Sequence, residues 1–161
     1  MPKRPIDSID RRILASLQDD GRLSNLDLAD KIGLSPSPCS RRVRLLEEDG
    51  FIRRYVALLD PAAIDLPVHV FVNVTLEKQV KANLETFERS ILDRPEVMEC
   101  YLMTGEADYL LRVVVPDLAA YEHFVLDHLT HIPGVASIKS SFALKQVQYR
   151  TALPLDHLAK D

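Results

Sequence analysis

The chain has 161 residues, 47% of them apolar and 27% charged, the balance of a soluble globular protein and not of a disordered one. Its 20 Lys and Arg against 24 Asp and Glu give a formal net charge of −4, which excludes a uniformly basic coat for nucleic acid. No run approaches the roughly 18–20 consecutive apolar residues of a membrane span, "MPKRPIDSIDRR" lacks the apolar core of a signal peptide, and Cys39 and Cys100 have neither zinc nor disulfide spacing, so a cytoplasmic protein with two reduced, mostly buried thiols is expected.

Charge is unevenly spread. Residues 1–60 hold 11 basic and 10 acidic side chains, net +1, whereas the remainder is net −5, which suggests two units with different partners. In "IDSIDRRILASLQDDGR" the residues Ile9, Ile13, Leu14 and Leu17 recur at helical spacing behind a capping Asp7, predicting a helix over Ser8–Gln18. "SNLDLADKIGL" repeats the design, with Ser24 as cap and Gly33 as stop. A third helix follows in "LSPSPCSRRVRLLEEDG", where Ser35 or Ser37 caps, proline occupies the first turn and Gly50 ends it. The next stretch, Ile52–Leu59, is rich in strand-forming residues and is predicted as a strand, a wing or a linker, ended by Asp60-Pro61.

From residue 68 the period changes. "VHVFVNVTLE" alternates as a half-buried strand, "KANLETFERSIL" is helical, Val97–Thr104 and Tyr109–Val115 form a hairpin, "LAAYEHFVLDHLTHI" is helical, and "VASIKSSFALKQVQY" returns to strand. Each helix runs into the next strand through a Pro-x-Val step, "RPEV" and "IPGV", a weak internal repeat. Strand, helix, strand, strand, helix, strand is a ferredoxin-like βαββαβ sandwich, so the fold class is α+β. "YLLRVVV" is apolar at nearly every position, as in a strand covered on both faces; with both helices on one face, the other cover comes from a second chain.

On a helix advancing about 100° per residue, Cys39, Val43 and Leu46 face the first two helices, while Ser37, Ser40, Arg41 and Arg44 point away together. A charge run is usually a solvated face, but the third helix of a tri-helical unit with its charged start outward has the features of a recognition helix. Arg can fork onto guanine in a major groove, and Ser can donate to phosphate or base edges. The helix start itself suits a phosphate through its free N–H groups. Arg42 lies beside the apolar stripe and is assigned to a phosphate or to an internal carboxylate pair. Of Arg53 and Arg54, just after the helix, alternation leaves only one to straddle the DNA backbone. With Ser35, these complete the expected DNA-binding set.

Together these segments resemble the leucine-responsive regulatory protein/AsnC family of transcription regulators over nearly the whole chain. "IDSIDRRILASLQDDGRLSN", "LADKIGLSPSPCSRRVRLLEEDGFI", "MTGEADYLLRVVVPDLAAYEHF" and "IPGVASIKSSFAL" carry the likeness. The resemblance implies an N-terminal winged helix-turn-helix over 1–52, a linking strand or hinge over 53–67, and a ferredoxin-like effector-binding and oligomerisation domain over 68–161. It implies double-stranded DNA as partner, homodimers that assemble into octamers as tetramers of dimers, an amino-acid effector, no other cofactor, and a cytoplasmic, nucleoid-associated protein. The matching effector residues are Met103, Thr104, Gly105, Asp108 and Tyr109, with Val135, Ala136, Ser137 and Ile138 from a neighbouring subunit. Chemically, Gly105 permits close backbone approach, and Asp108 is either a partner for an α-ammonium group or the anchor of a tight hairpin.

No Ser-His-Asp set, phosphate loop or carboxylate pair stands out, so an enzyme is not expected. His123, His128 and His131 do not converge as metal ligands would. The competing reading is a ligand-indifferent architectural DNA binder, and behind it a small ferredoxin-like enzyme.

Overall fold

The computed structural model describes residues 4–158. Two compact units emerge: residues up to Leu58 together with those from Gln148 onward, and Leu59–Val147. The sequence places the boundary differently, because it assigns the whole C-terminal segment to the second domain.

In the first unit, α1 (Ser8–Asp19) starts where the Asp7 carboxylate accepts the Asp10 N–H at 2.7 Å. α2 (Asn25–Ile32) starts on Ser24 and ends at Gly33, whose φ of 76° closes the last turn. α3 (Pro36–Glu48) begins with proline in its first turn. Ile13, Cys39 and Leu46 are fully buried among Leu14, Leu28, Ala29 and Ile32, so one face of each helix meets the other two. The predicted strand after α3 does not form. Residues 53–59 are exposed and have no ladder partner among the described residues; strand-forming side chains specify a strand only when another chain segment pairs with them.

The second unit is a four-stranded antiparallel sheet in the order β2-β3-β1-β4, with β1 Val68–Leu76, β2 Val97–Leu102, β3 Tyr109–Val115 and β4 Val135–Phe142. Together with α4 (Lys81–Leu92) and α5 (Leu118–His123), the strands complete the expected ferredoxin-like sandwich. Val70, Val72 and Val74 alternate inward from the central β1 against Leu111 and Val113, and Phe87, Ile91, Phe124 and Leu129 cover them. The predicted second helix is broken. After His123 the chain widens into a π turn over Phe124–His128 and tightens into a 3-10 turn over Leu129–His131. The wider turn sets Phe124 and Leu129, five residues apart, on the same buried side. Cys39 is buried as expected, but Cys100 is exposed, on the sheet's edge strand.

On the sheet face away from the helices, Phe71 is 39% and Tyr101 51% exposed. Between them Arg112 pairs with Glu99 at 2.8 Å, and the Tyr101 hydroxyl donates to the same carboxylate at 2.9 Å. Burial pushes Glu99 upward, but Tyr101 and Arg112 outweigh it and hold the carboxyl below its ordinary range. Among the described residues, no helix is long and apolar enough to cross a membrane.

Candidate functional site

Helix α3 sorts its arginines. Arg42 turns inward, and its Nη1 donates to Asp7 Oδ2 at 2.7 Å and to Asp10 Oδ1 at 2.9 Å. Asp10 is completely buried; its other oxygen accepts from Arg4 Nη1 at 2.6 Å, and Arg4 Nε reaches Asp49 Oδ2 at 3.1 Å. Hydrogen bonds donated to Asp7 and Asp10 push the Arg42 guanidinium further above its ordinary pKa. Burial pushes Asp7 upward, but the Asp10 N–H and Arg42 prevail and hold it low. Of the two roles the sequence left to Arg42, the internal pair is the one seen. The residue joins the start of α1 to the middle of α3.

Ser37, Ser40, Arg41 and Arg44 are exposed and line one open concavity of about 550 Å³ with Pro36 and Asn25. Arg41 has no side-chain partner among the described residues. Arg44 reaches Glu48 at only 3.5 Å, with both side chains more than half exposed, a pairing weak enough to release the guanidinium. Ser35 stands at the cap position of α3 but makes no capping bond with its side chain. Arg53 and Arg54 are exposed beyond the helix and do not line the concavity.

One expectation about the helix start needs correction. Pro36 and Pro38 carry no N–H, and the Cys39 N–H is bonded to Ser35 O at 3.3 Å, so the first turn of α3 offers little backbone to a phosphate. Side chains, not the helix terminus, supply its chemistry. Sequence reasoning also missed Asn25, whose Nδ2 donates to Pro36 O at 2.8 Å and joins the start of α2 to that of α3. Its place directly after the Ser24 cap was the available signal.

In the second unit, the loop after β2 carries Met103, Thr104 and Gly105, while Asp108 and Tyr109 lead into β3. Gly105 has φ 126° and open space on its Cβ side, so the backbone there is approachable. Asp108 is 3% exposed. Its Oδ2 accepts the Leu76 N–H at 2.6 Å and its Oδ1 the Gln79 side-chain amide. The carboxylate thus ties the start of β3 to the end of β1 and to Gln79, while the hairpin itself closes through its backbone, the Met103 N–H onto Asp108 O at 2.8 Å. Tyr109 stacks on Phe87 at 4.5 Å and donates to Glu88 at 2.8 Å; burial first, then Glu88, pushes its phenol far above the ordinary range.

Val135, Ala136, Ser137 and Ile138 begin β4, with Ala136 and Ser137 exposed. β1 lies between the two groups, pairing Val74 with Tyr109 on one side and with Ile138 on the other. The β1–β4 register shifts between Thr75 and Leu76, and on the β3 side the Leu76 N–H donates to Asp108 just before β3 begins. The hairpin and the start of β4 therefore lie at the same end of the sheet, with β1 between them. The histidines do not gather there: His128 bonds Arg94 at 2.8 Å and His123 lies beside Asp127.

Residues 6–53 match the winged helix-turn-helix DNA-binding family, and residues 69–153 match the Lrp/AsnC ligand binding domain. The Bkd operon transcriptional regulator of Pseudomonas aeruginosa is 57% identical over 150 residues, covering 93% of this chain and 98% of that one. The leucine-responsive regulatory protein of Escherichia coli is 41% identical over 152 residues, 94% of this chain and 93% of its own. Among solved structures, a Neisseria meningitidis transcriptional regulator in complex with L-methionine superposes with a TM-score of 0.92 at 44% identity, covering 96% and 99% of the two chains. An AsnC family regulator from Agrobacterium tumefaciens gives 0.91 at 46% identity, covering 96% and 100%.

Proposed function

Since the chain belongs to the Lrp/AsnC family of DNA-binding transcriptional regulators, we propose that it reads a duplex with the outward side chains of α3 and adjusts that reading to an amino acid held in the second unit. The observation that carries the DNA half is the division of α3: Arg42 is bonded inward, while Ser37, Ser40, Arg41 and Arg44 border an open concavity. Arg41 and Arg44 fork onto bases, Ser35, Ser37 and Ser40 donate to phosphate or base edges, and Arg53 or Arg54 follows the backbone. Asn25 fixes the turn between the two helices.

The effector is an α-amino acid bound between Met103–Gly105, Asp108 and Tyr109 of one subunit and Val135–Ile138 at the start of β4 of a neighbouring one. The N. meningitidis relative's complex with L-methionine supports that class. Ala136 and Ser137 offer small exposed side chains, Gly105 an open backbone, and Asp108 Oδ1 an acceptor once Gln79 gives way. The half-open face around Phe71, Arg112 and Tyr101 is covered by a second copy, giving a homodimer, and dimers assemble four at a time into an octamer. The relative named for the bkd operon supports an operon of the same kind as target. The relatives are regulators, and the chain works as a non-enzymatic, cytoplasmic, nucleoid-associated protein without a further cofactor.

Two titrations test this reading. Operator binding by the Arg41→Ala/Arg44→Ala double mutant should be weaker than wild type at matched salt; equal affinity sinks the DNA assignment. Calorimetry with the twenty amino acids should give heat for at least one, and that amino acid should change operator affinity. Silence in all twenty, with unchanged DNA binding, moves the protein to the architectural role.

A further inference from the structure

Residues 148–158 pack with the helix-turn-helix unit although they follow the last strand of the other one. The contact is specific. Gln18, near the end of α1, donates its Nε2 to Leu153 O at 3.1 Å and accepts the Leu153 N–H on Oε1 at 2.7 Å. That two-way exchange is the pattern of a hydrogen-bonded residue pair in an antiparallel ladder, reproduced by one side-chain amide. Two residues on, Leu155 is half-buried against the tri-helical core, and the Leu158 N–H closes onto Leu155 O at 3.0 Å. Leu155 packs on the core that Leu14 and Leu17 of α1 share with Phe51 and Ile52, while Leu153 keeps its side chain largely in solvent and is held through its backbone by Gln18.

We propose that this face of α1 is a docking surface for the chain's own C-terminal segment, and that the docked segment couples the effector end of β4 to the DNA-binding unit. The route is covalent and short. Val135–Ile138 open β4, the strand ends at Phe142, and residues 143–150 are exposed and outside any helix or strand, with Leu144 and Val147 wholly or nearly wholly in solvent. The Ala143 N–H is held by His69 O at 2.9 Å; beyond it, among the described residues, 144–150 make no hydrogen bond, and the far end is fixed by Gln18 and Leu155. An effector that binds β4 differently in the docked and undocked states shifts docking, and by linkage docking shifts effector affinity. The coupling rests on the amino-acid reading above; the docking does not.

The test uses the full chain carrying Gln18→Ala or Leu155→Ser. Hydrogen exchange in wild type should show the Leu153 amide and the Leu14–Gln18 turn slowed together, and either substitution should speed exchange at Leu153 at least tenfold. Exchange at Leu153 already as fast in wild type as in a free peptide overturns docking. For coupling, a duplex selected from a random pool is titrated with and without L-methionine and L-leucine. In Leu155→Ser the amino-acid-induced change in affinity should shrink at least threefold, while amino-acid binding without DNA, and DNA binding without amino acid, stay within twofold. An undiminished response overturns the coupling. If wild type binds neither amino acid, coupling is judged from the DNA side: duplex-induced slowing of exchange in β4 that Leu155→Ser abolishes supports it, and no change in wild-type β4 overturns it.

Discussion

The two units bury charge in opposite ways. In the helix-turn-helix unit a completely buried carboxylate, Asp10, is held between the Arg4 and Arg42 guanidiniums, and that cluster ties α1 to α3. In the ferredoxin-like unit the buried carboxylate, Asp108, is satisfied by a backbone N–H and a side-chain amide, and strand ladders position everything else. The orientation of the DNA-reading helix therefore depends on ion pairs, whereas the effector end depends on packing and hydrogen bonds. Removing one member of a buried ion cluster leaves an uncompensated charge, which costs far more than intact pairs contribute.

The largest effect should come from Arg42→Ala. It should destabilise the helix-turn-helix unit by about 3–5 kcal/mol and abolish operator binding, leaving the second unit's unfolding untouched. Urea unfolding with hydrogen exchange read separately in α1 and β1 checks this, and a first-unit midpoint equal to wild type breaks the comparison. Asp108→Ala should act on the other unit alone, by about 1–3 kcal/mol, because the buried Leu76 N–H loses its acceptor. Gln79→Ala, which spares that N–H, is the cleaner probe of effector affinity.

Arg41→Ala and Arg44→Ala should move neither unfolding midpoint. Each should instead lose about 1–3 kcal/mol of discrimination between operator and non-specific duplex if its contact is bidentate. Affinity should fall steeply with salt as counterions are released, and a phosphate-contacting arginine, once removed, lowers that slope by about one.

A smaller effect is read in the first unit by pH. Burial, then Glu47, pushes the Tyr55 phenol from 10.0 up to about 12. A raised pKa means the folded state keeps its proton longer, so this contribution is complete below the unfolded value and fades as pH rises through the folded one. Phenolate absorbance should show a late component near pH 12 that Tyr55→Phe removes. On the acid side Asp7, held low, stabilises the first unit above the ordinary carboxylate range and stops doing so as pH falls through its depressed value. The smallest change is Glu48→Ala, within about 0.5 kcal/mol, since its pair with Arg44 is exposed.

Most elements were legible because their signals are local. Asp7 and Ser24 cap by reaching along their own chain, Gly33 ends α2 because its backbone adopts a left-handed turn, and the valines of β1 alternate with the pleat. The outward direction of Ser37, Ser40, Arg41 and Arg44 follows from helical geometry alone. The misses are non-local. Residues 53–59 have strand composition but no partner, and the helix after Leu118 changes pitch so that Phe124 and Leu129 share the core. Asn25 enters the concavity only because the turn between α2 and α3 brings it to Pro36.

The sequence by itself determined most of the helices and strands, their order and the family, because capping, periodicity and the long "LSPSPCSRRVRLLEEDGFI" string are properties of neighbouring residues. Only tertiary structure decided that Arg42 faces Asp10 and not a phosphate, that Asp108 is held by Leu76 and Gln79, and that the C-terminal segment lies on α1. Each of those outcomes joins groups distant in the chain, where burial and hydrogen-bond partners, not spacing, determine what a charged or apolar side chain does.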